Sequence, residues 1–286
     1  MHPYARDFLA VCRMIKIEHS IFALPFAYAG LFLGAGGWPG FKLLFLVTIA
    51  MVTVRSFAMG INRVVDLDID KQNPRTKDRP LVTGEISPQF TRIFCAIMAV
   101  LFLFTCAFIN KAVFVMAPFA LIWSGFYSVT KRFTWLCHFV LGSVLGIAPL
   151  AGWLSASPTL AITPVCFLLG VTFWVAGFDI MYSCQDRVFD REHNLNSIPA
   201  NFGIKTSLAL AAFCHVVTPI FFILAGWAAG LGFIYLLIML AVGGILIWEH
   251  RLVSPDDMSR VNMAFFNLNG IIAVVLLVGV LVDLFM

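Results

Sequence analysis

Residues Ala58 to Gly84 read AMGINRVVDLDIDKQNPRTKDRPLVTG and contain Asn62, Asp66 and Asp70, each four positions from the next. On a helix this spacing stacks the three side chains on one face, a turn apart. Two carboxylates stacked in this way repel each other unless a positive charge lies between them. A divalent cation usually supplies that charge, and an oxygen-only ligand set indicates a hard ion such as Mg²⁺.

A second stretch, residues Phe178 to Asn194, has the same form and reads FDIMYSCQDRVFDREHN. Its helical spacing places four polar side chains on one face: Asp179, Tyr182, Asp186 and Asp190. Both stretches begin where a long apolar run ends. An acid at a membrane boundary is costly unless it is paired or hydrated, which argues against two ordinary solvated loops.

The composition is that of a membrane protein. Of the 286 residues, 61% are hydrophobic and only 12% are charged, and the mean hydropathy is +0.94. Soluble domains carry about 25% charged residues, so we expect a multi-spanning, all-α integral membrane protein. The seven cysteines form no Cys-x-x-Cys pair and indicate no disulfide framework. The net charge of +4 gives no indication of a nucleic-acid partner.

Nine apolar segments are long enough to cross a bilayer, which takes about 20 residues each. They cover residues 17–36, 41–62, 90–109, 112–129, 136–154, 160–180, 206–228, 231–249 and 263–284. We expect one transmembrane domain over residues 1–286, with polar loops at about 63–89 and 181–205 that carry the Asp-rich stretches.

The basic residues predict the orientation. Of the 19, only Lys42 and Lys111 lie away from the N-terminus, the even-to-odd loops and the helix ends beside them. The positive-inside rule then places the N-terminus and the large polar loops in the cytoplasm and the C-terminus outside. The acids share this bias, except Asp283, and a cation with an anionic substrate would explain it. We expect a multi-pass protein of a bacterial-type inner membrane.

Three motifs resemble those of the UbiA-type aromatic prenyltransferases, the 4-hydroxybenzoate polyprenyltransferases in particular. They are N-x-x-x-D-x-x-x-D from Asn62 followed by NPRTKDRPL, D-x-x-Y-x-x-x-D-x-x-x-D from Asp179 followed by SIPANFG, and YSVTKRFTWL from Tyr127. The resemblance covers essentially the whole chain. Arg63 departs from the Asp that many relatives have at this place.

The resemblance implies nine transmembrane helices around a central cavity and Mg²⁺-dependent transfer of a polyprenyl group from a polyprenyl diphosphate. The implied acceptor is a small aromatic acid, 4-hydroxybenzoate, attacked ortho to its hydroxyl in quinone biosynthesis. The motifs leave open a dihydroxynaphthoate acceptor of menaquinone biosynthesis, such as 1,4-dihydroxy-6-naphthoate. Neither the tail length nor the oligomeric state follows from the sequence.

Each candidate site residue has an expected role. The carboxylate ligands of the metal are Asp66, Asp70, Asp186 and Asp190, and Asn62 contributes a neutral oxygen. A base that raises the electron density of the phenol ring is expected at Asp179 or Asp186, beside Tyr182. Asp68 points away from the shared face and is expected to be peripheral.

By resemblance, Tyr127 and Ser128 contact the diphosphate. The candidate cations are Lys16, Arg63, Arg75, Arg79, Lys131 and Arg132. Basic residues at cytoplasmic helix ends also orient a span, which is the alternative interpretation of each. Arg132 is alternatively a partner of the aromatic carboxylate. Glu18 and His19 are interpreted as a helix-entry pair, and the other histidines of the chain, His138 among them, as structural or surface residues.

Other classes of protein fit less well. A transporter would have acids or helix breaks in mid-span, whereas here the acids cluster at span ends. A CDP-alcohol phosphotransferase would need a D-x-x-D-G-x-x-A-R run, which the sequence lacks. Haem farnesyltransferases and chlorophyll synthases stay open within the same superfamily, although D-x-x-Y and SIPANFG favour the quinone branch.

Overall fold

The computed structural model describes residues 3–16 and 20–286, and all of the regular elements in these residues are helical. The α-helices are α1 (Pro3–Ile15), α2 (Ser20–Ala35), α3 (Phe41–Val65), α4 (Leu67–Asp70), α5 (Pro88–Ile109), α6 (Lys111–Thr130), α7 (Cys137–Ala156), α8 (Ile162–Ser183), α9 (Arg187–Glu192), α10 (Ile198–Ala228), α11 (Phe233–Arg251), α12 (Val261–Met263) and α13 (Asn269–Phe285). A 3₁₀ turn (Cys184–Asp186) precedes α9, and a π-helical turn (Ala264–Leu268) precedes α13.

The all-helical prediction is confirmed, but the count of nine spans is not. Eight helical segments of the described chain are long and apolar enough to cross a membrane. They are 41–65, 88–109, 111–130, 137–156, 162–192, 198–228, 233–251 and 266–285. The segment expected at 17–36 is represented by α2, whose apolar part, Ala23–Ala35, is shorter. Part of that expected span, together with Glu18 and His19, lies outside the described residues.

The expected polar loops are more helical than predicted. Within 63–89, α3 continues to Val65 and is followed directly by α4. Within 181–205, α8, the 3₁₀ turn, α9 and the start of α10 leave few irregular residues. The early start of α10 is possible because Gly203 adopts a φ of 81°, which joins two helical segments across a kink.

The chain packs as two compact units, and the first contains the described residues of Met1–Ser20 together with Phe45–Val129. The buried side chains of one of its apolar clusters are Ala10, Met14, Ile15 and Ile86. Gly60 on α3 permits close packing on α5, since a Cβ at this position would lie 2.5 Å from the sulfur of Cys95.

The second unit contains Ile21–Leu44 and Thr130–Met286. Its core contains large, fully buried side chains, most of them aromatic: Phe26, Phe167, Trp174, Phe222, Tyr235, Met239 and Ile272. Glycines let its helices approach closely, as small residues do at helix contacts in membranes. At Gly142 and Gly152 an added Cβ would overlap the backbone carbonyls of Thr172 and Ala27.

Many large apolar side chains of the spans are exposed. Examples are Phe104 on α5, Trp227 on α10 and Leu240 on α11, which are between 62% and 77% exposed. Exposed apolar surface of this extent is unusual in a soluble monomer and is what a lipid-facing surface requires.

Candidate active site

The first Asp-rich motif is helical, as its spacing predicts. The amide of Asp66 donates to the carbonyl of Asn62 at 2.9 Å, and the amide of Asp70 donates to the carbonyl of Asp66 at 2.7 Å. The side-chain amide of Asn62 donates to Oδ2 of Asp66 at 2.8 Å. The three residues therefore follow one another turn by turn where α3 ends and α4 begins.

Two arginines compensate the charge of this motif. Arg79 forms an ion pair with the buried carboxylate of Asp70. Arg63, which is 5% exposed, donates through Nη1 to Oδ1 of Asn62 at 2.9 Å and through Nε to the carbonyl of Met14 at 3.3 Å. Arg63 thus connects the motif to α1, a role that its departure from the family pattern did not suggest.

The other residues predicted around the first motif differ in exposure. Asp68 has a side chain that is 91% exposed and pairs with Lys71 at 3.2 Å, so it points away from the motif, as predicted. Arg75 is exposed and its amide donates to Oδ1 of Asn73 at 2.9 Å. Lys16 is half-buried and has a φ of 47°.

The Tyr127–Ser128 pair lies in the last turn of α6. Tyr127 is half-buried, whereas Ser128 is only 4% exposed. The Ser128 hydroxyl is buried and finds no hydrogen-bond partner among the residues that the structure describes. A buried polar group without a partner costs about 1–3 kcal/mol, so it is expected where a bound molecule supplies the partner.

The second Asp-rich motif does not follow one continuous α-helix. The 3₁₀ turn Cys184–Asp186 interrupts it, so the single helical face expected for this motif is divided among α8, the turn and α9. Asp186 and Asp190 are both buried, at 6% and 0% exposure. Tyr182 is half-buried in the last turn of α8.

The buried carboxylate of Asp190 has two close partners. Its Oδ1 lies 2.7 Å from Nζ of Lys131, and its Oδ2 accepts a hydrogen bond from the Ser197 hydroxyl at 2.7 Å. Burial lowers the pKa of the Lys131 ammonium, but the Asp190 and Asp186 carboxylates outweigh this effect and raise the pKa above its ordinary value. Lys131 is therefore charged at neutral pH.

Ser197 is a residue of the site to which the sequence assigned no role. It caps α10, because its Oγ accepts from the amide of Ala200 at 3.3 Å while its hydroxyl proton goes to Asp190. The carbonyl of Lys131 accepts from the amide of Asn196 at 2.7 Å. A Ser shortly before a Pro at the start of an apolar run signals a helix N-terminus, but not a bond to Asp190.

His138 is the second residue that the sequence did not identify. It is buried on α7, and its Nδ1 lies 2.7 Å from Oδ2 of Asp179. The sequence indicated only a structural or surface histidine and did not predict this partner. The two residues are 41 positions apart, so no spacing pattern relates them.

Arg132, another predicted site residue, is exposed.

A polar groove of about 570 Å³ opens on the second unit beside α9 and the start of α10. Its lining contains two arginines and three asparagines: Arg187, Arg191, Asn194, Asn196 and Asn201.

The donor chemistry of both motifs fits Mg²⁺. The candidate ligands are carboxylate and amide oxygens, and three of the four carboxylates, those of Asp70, Asp186 and Asp190, are buried. Within residues 3–16 and 20–286, no three His, Cys, Asp or Glu side chains are arranged to hold a metal alone. That is compatible with Mg²⁺, which usually takes one or two carboxylates and completes its shell with water and substrate phosphates.

The helices and the acidic and basic groups at their ends define a multi-pass membrane protein with polar sites at its span ends. The chain belongs to the UbiA prenyltransferase family, whose model matches residues 23–271. The prediction of a prenyltransferase of this family is therefore confirmed.

Curated relatives cover nearly the whole chain. The 4-hydroxybenzoate octaprenyltransferase of Shewanella halifaxensis is 28% identical over 262 residues, which are 92% of this chain and 91% of that protein. The enzyme of the same name from Pectobacterium carotovorum is 27% identical and covers 98% of both chains.

Solved structures support the same assignment. A UbiA homologue from Aeropyrum pernix superposes with a TM-score of 0.85 at 34% identity, over 93% of this chain and 98% of that one. A UbiA homologue from Archaeoglobus fulgidus, solved with GPP and Mg²⁺, has a TM-score of 0.69 over 96% of this chain and 99% of that one. At 19% identity, the second likeness shows the fold alone.

Proposed function

We propose that this protein transfers a polyprenyl group from a polyprenyl diphosphate to 4-hydroxybenzoate, ortho to the hydroxyl, in an Mg²⁺-dependent reaction. The observation that carries the proposal is the stacked set Asn62, Asp66 and Asp70 at the end of an apolar helix, with Arg79 paired to Asp70. The names of the curated relatives support the acceptor. The ligands of the Archaeoglobus fulgidus homologue are in keeping with the donor and the metal.

The basic and hydroxyl groups of the site bind the diphosphate. Arginine suits bidentate contacts with phosphate oxygens, and lysine acts as a point charge. Ser128 offers a buried hydroxyl that lacks a hydrogen-bond partner among the described residues. These groups stabilise the negative charge that develops as the carbon–oxygen bond to the diphosphate breaks. The proposed diphosphate contacts are Lys16, Arg63, Arg75, Arg79, Tyr127, Ser128, Lys131 and Arg132.

The carboxylates of both motifs are the proposed metal ligands. When bound, Mg²⁺ neutralises diphosphate oxygens and makes the diphosphate a better leaving group. The proposed ligands are Asp66, Asp70, Asp186 and Asp190, with Asn62. Lys131 and Arg79 compensate the charge of Asp190 and Asp70 in this structure.

The aromatic acid supplies the electrons that form the new carbon–carbon bond. Asp179 accepts a hydrogen bond from the phenol hydroxyl and so raises the electron density of the ring, with Tyr182 as a polar neighbour. Arg132, which is exposed, is a candidate partner of the aromatic carboxylate. Aromatic side chains stabilise the allylic cation through their ring faces.

The charge distribution and the lipid-soluble tail suggest where the reaction takes place. We infer a single domain in a bacterial-type inner membrane, with the N-terminus and the Asp-rich motifs on the cytoplasmic side and the C-terminus outside. The tail is insoluble in water and enters from the lipid. The product is a precursor of ubiquinone, or of menaquinone if the acceptor is a dihydroxynaphthoate.

Isosteric variants of the acids test this proposal, with Asp68→Asn as the matched control. Asp66→Asn and Asp190→Asn should each lower Mg²⁺-dependent prenyl transfer by about 100-fold or more, because each removes a proposed ligand of the metal. Asp68 is exposed and peripheral, so its variant should retain wild-type turnover. Normal turnover in either ligand variant would refute the metal assignment. Uptake of the substrate into vesicles without any product would favour a transporter.

A further inference from the structure

His138 makes two hydrogen bonds that together define its protonation state. The backbone amide of Ile198 donates to Nε2 at 3.2 Å, so Nε2 is the acceptor and carries no proton. The remaining nitrogen, Nδ1, then carries the proton of the neutral ring, and this N–H donates a hydrogen bond to Oδ2 of Asp179 at 2.7 Å. A backbone group, whose protonation cannot change, thus selects the tautomer.

The environments of the two side chains differ. The His138 side chain is 2% exposed, whereas the Asp179 side chain is 20% exposed. A purely structural pair between two apolar helices would be expected to have both side chains buried. An ionisable residue within an apolar span is by default a candidate for function, and the open member of this pair is Asp179.

We propose that His138 is a positioning residue that holds Asp179 as an oriented carboxylate for the aromatic acceptor. This inference rests on the prenyl transfer proposed above. Donation from Nδ1 to Oδ2 fixes the plane of the carboxylate and leaves Oδ1 to accept from the acceptor hydroxyl. Ile198, at the start of α10, and His138, on α7, form the support that holds Asp179 on α8.

The proton balance of the step is simple. As the new carbon–carbon bond forms, the hydroxyl O–H bond breaks, its electron pair stays on oxygen, and the proton moves to Asp179. The attacked ring carbon then loses its own proton, which leaves with the diphosphate. Asp179 returns the first proton to the phenolate oxygen. Asp179 ends in its starting state, and one proton is released for each prenyl group transferred.

Two substitutions of His138 separate positioning from structure. Asn places its side-chain amide near the position of Nδ1, so His138→Asn keeps a donor to Asp179 and loses the acceptor for Ile198. Gln reaches the position of Nε2, so His138→Gln keeps an acceptor for Ile198 and loses the donor to Asp179. Ser155→Ala, also on α7, serves as a control for insertion and folding.

The experiment uses 4-hydroxybenzoate as the acceptor and measures, for each variant in detergent, kcat, the KM for the acceptor and the melting temperature. We expect His138→Gln to keep the wild-type melting temperature but to lower kcat about 10- to 100-fold, because a hydrogen bond to a charged group is lost. We expect His138→Asn to melt earlier and to keep a kcat within about 3-fold of wild type. Asp179→Asn should lower kcat by about 100-fold or more while retaining an acceptor for Nδ1.

The decisive result is a lowered kcat in His138→Gln and a lowered melting temperature in His138→Asn. If His138 were merely structural, kcat and the melting temperature would fall together in each variant. A kcat that follows the melting temperature across both His138 variants would overturn the positioning role. The same holds for a wild-type kcat in Asp179→Asn. Absence of transfer by the wild-type enzyme to any hydroxylated aromatic acid would overturn the proposed function as well.

Discussion

Replacing Lys131 by Met removes the cation beside a fully buried carboxylate. At 2.7 Å, with an effective dielectric constant of about 20, the attraction between Lys131 and Asp190 is about 6 kcal/mol before desolvation is subtracted. The Lys131 side chain is 34% exposed, so water recovers part of this loss. We expect Lys131→Met to lower the free energy of unfolding by about 3 kcal/mol, since Asp190 stays buried without its cation.

The second substitution of the cycle, Asp190→Asn, should cost less. The introduced asparagine side chain keeps an acceptor for the Ser197 hydroxyl, and Lys131 can reach water. Once the carboxylate is gone, Lys131→Met should add little, so we expect the double variant to be about as stable as Asp190→Asn and the coupling energy to be about 3 kcal/mol.

Unfolding of the four proteins in detergent without substrate or Mg²⁺ measures this cycle, and Lys131→Arg is the charge-conserving control. Single-variant costs that add to within about 0.5 kcal/mol in the double variant would refute the pairing of Lys131 with Asp190.

The remaining predictions concern the diphosphate site and the helix packing. Ser128→Ala should raise the KM for the prenyl diphosphate about 10-fold without loss of melting temperature, because its buried hydroxyl lacks a hydrogen-bond partner among the described residues; an unchanged KM would exclude it from the site. Gly152→Ala should destabilise the protein by about 1–3 kcal/mol, because the added Cβ meets the carbonyl of Ala27. At Gly243 an added Cβ would meet no atom of the described residues within 4 Å apart from its own stretch of helix backbone, so Gly243→Ala should leave the melting temperature unchanged or raise it.

Local patterns predicted much of this fold because an apolar run or a four-residue spacing lies within one continuous stretch of the chain and needs no contact with a distant residue. The stacking of Asn62, Asp66 and Asp70 follows from such a pattern. The glycine-rich run GAGGWPG at residues 34–40 likewise indicates a turn, and α2 ends within it, before Gly36 with a φ of 63°. The exposed, peripheral position of Asp68 follows from the same helical geometry.

Other features depend on contacts between distant parts of the chain. The 3₁₀ turn at Cys184–Asp186 carries no Gly or Pro that would announce a break. The pairing of His138 with Asp179 joins two helices across 41 positions. The pairing of Lys131 with Asp190 joins the YSVTKRFTWL motif to the second Asp-rich motif. Sequence periodicity indicates which face a residue lies on, but not which partner on another helix it meets.

The most direct test of the proposed prenyl transfer is a product measurement on the purified wild-type protein. A long-chain prenyl diphosphate, Mg²⁺ and three separate acceptors are supplied: 4-hydroxybenzoate, 1,4-dihydroxy-2-naphthoate and 1,4-dihydroxy-6-naphthoate. The mass of any prenylated product is then read with and without a chelator. We predict prenylated 4-hydroxybenzoate, formed only when Mg²⁺ is present. Neither product nor Mg²⁺-dependent release of diphosphate, across several tail lengths, would contradict the proposed reaction.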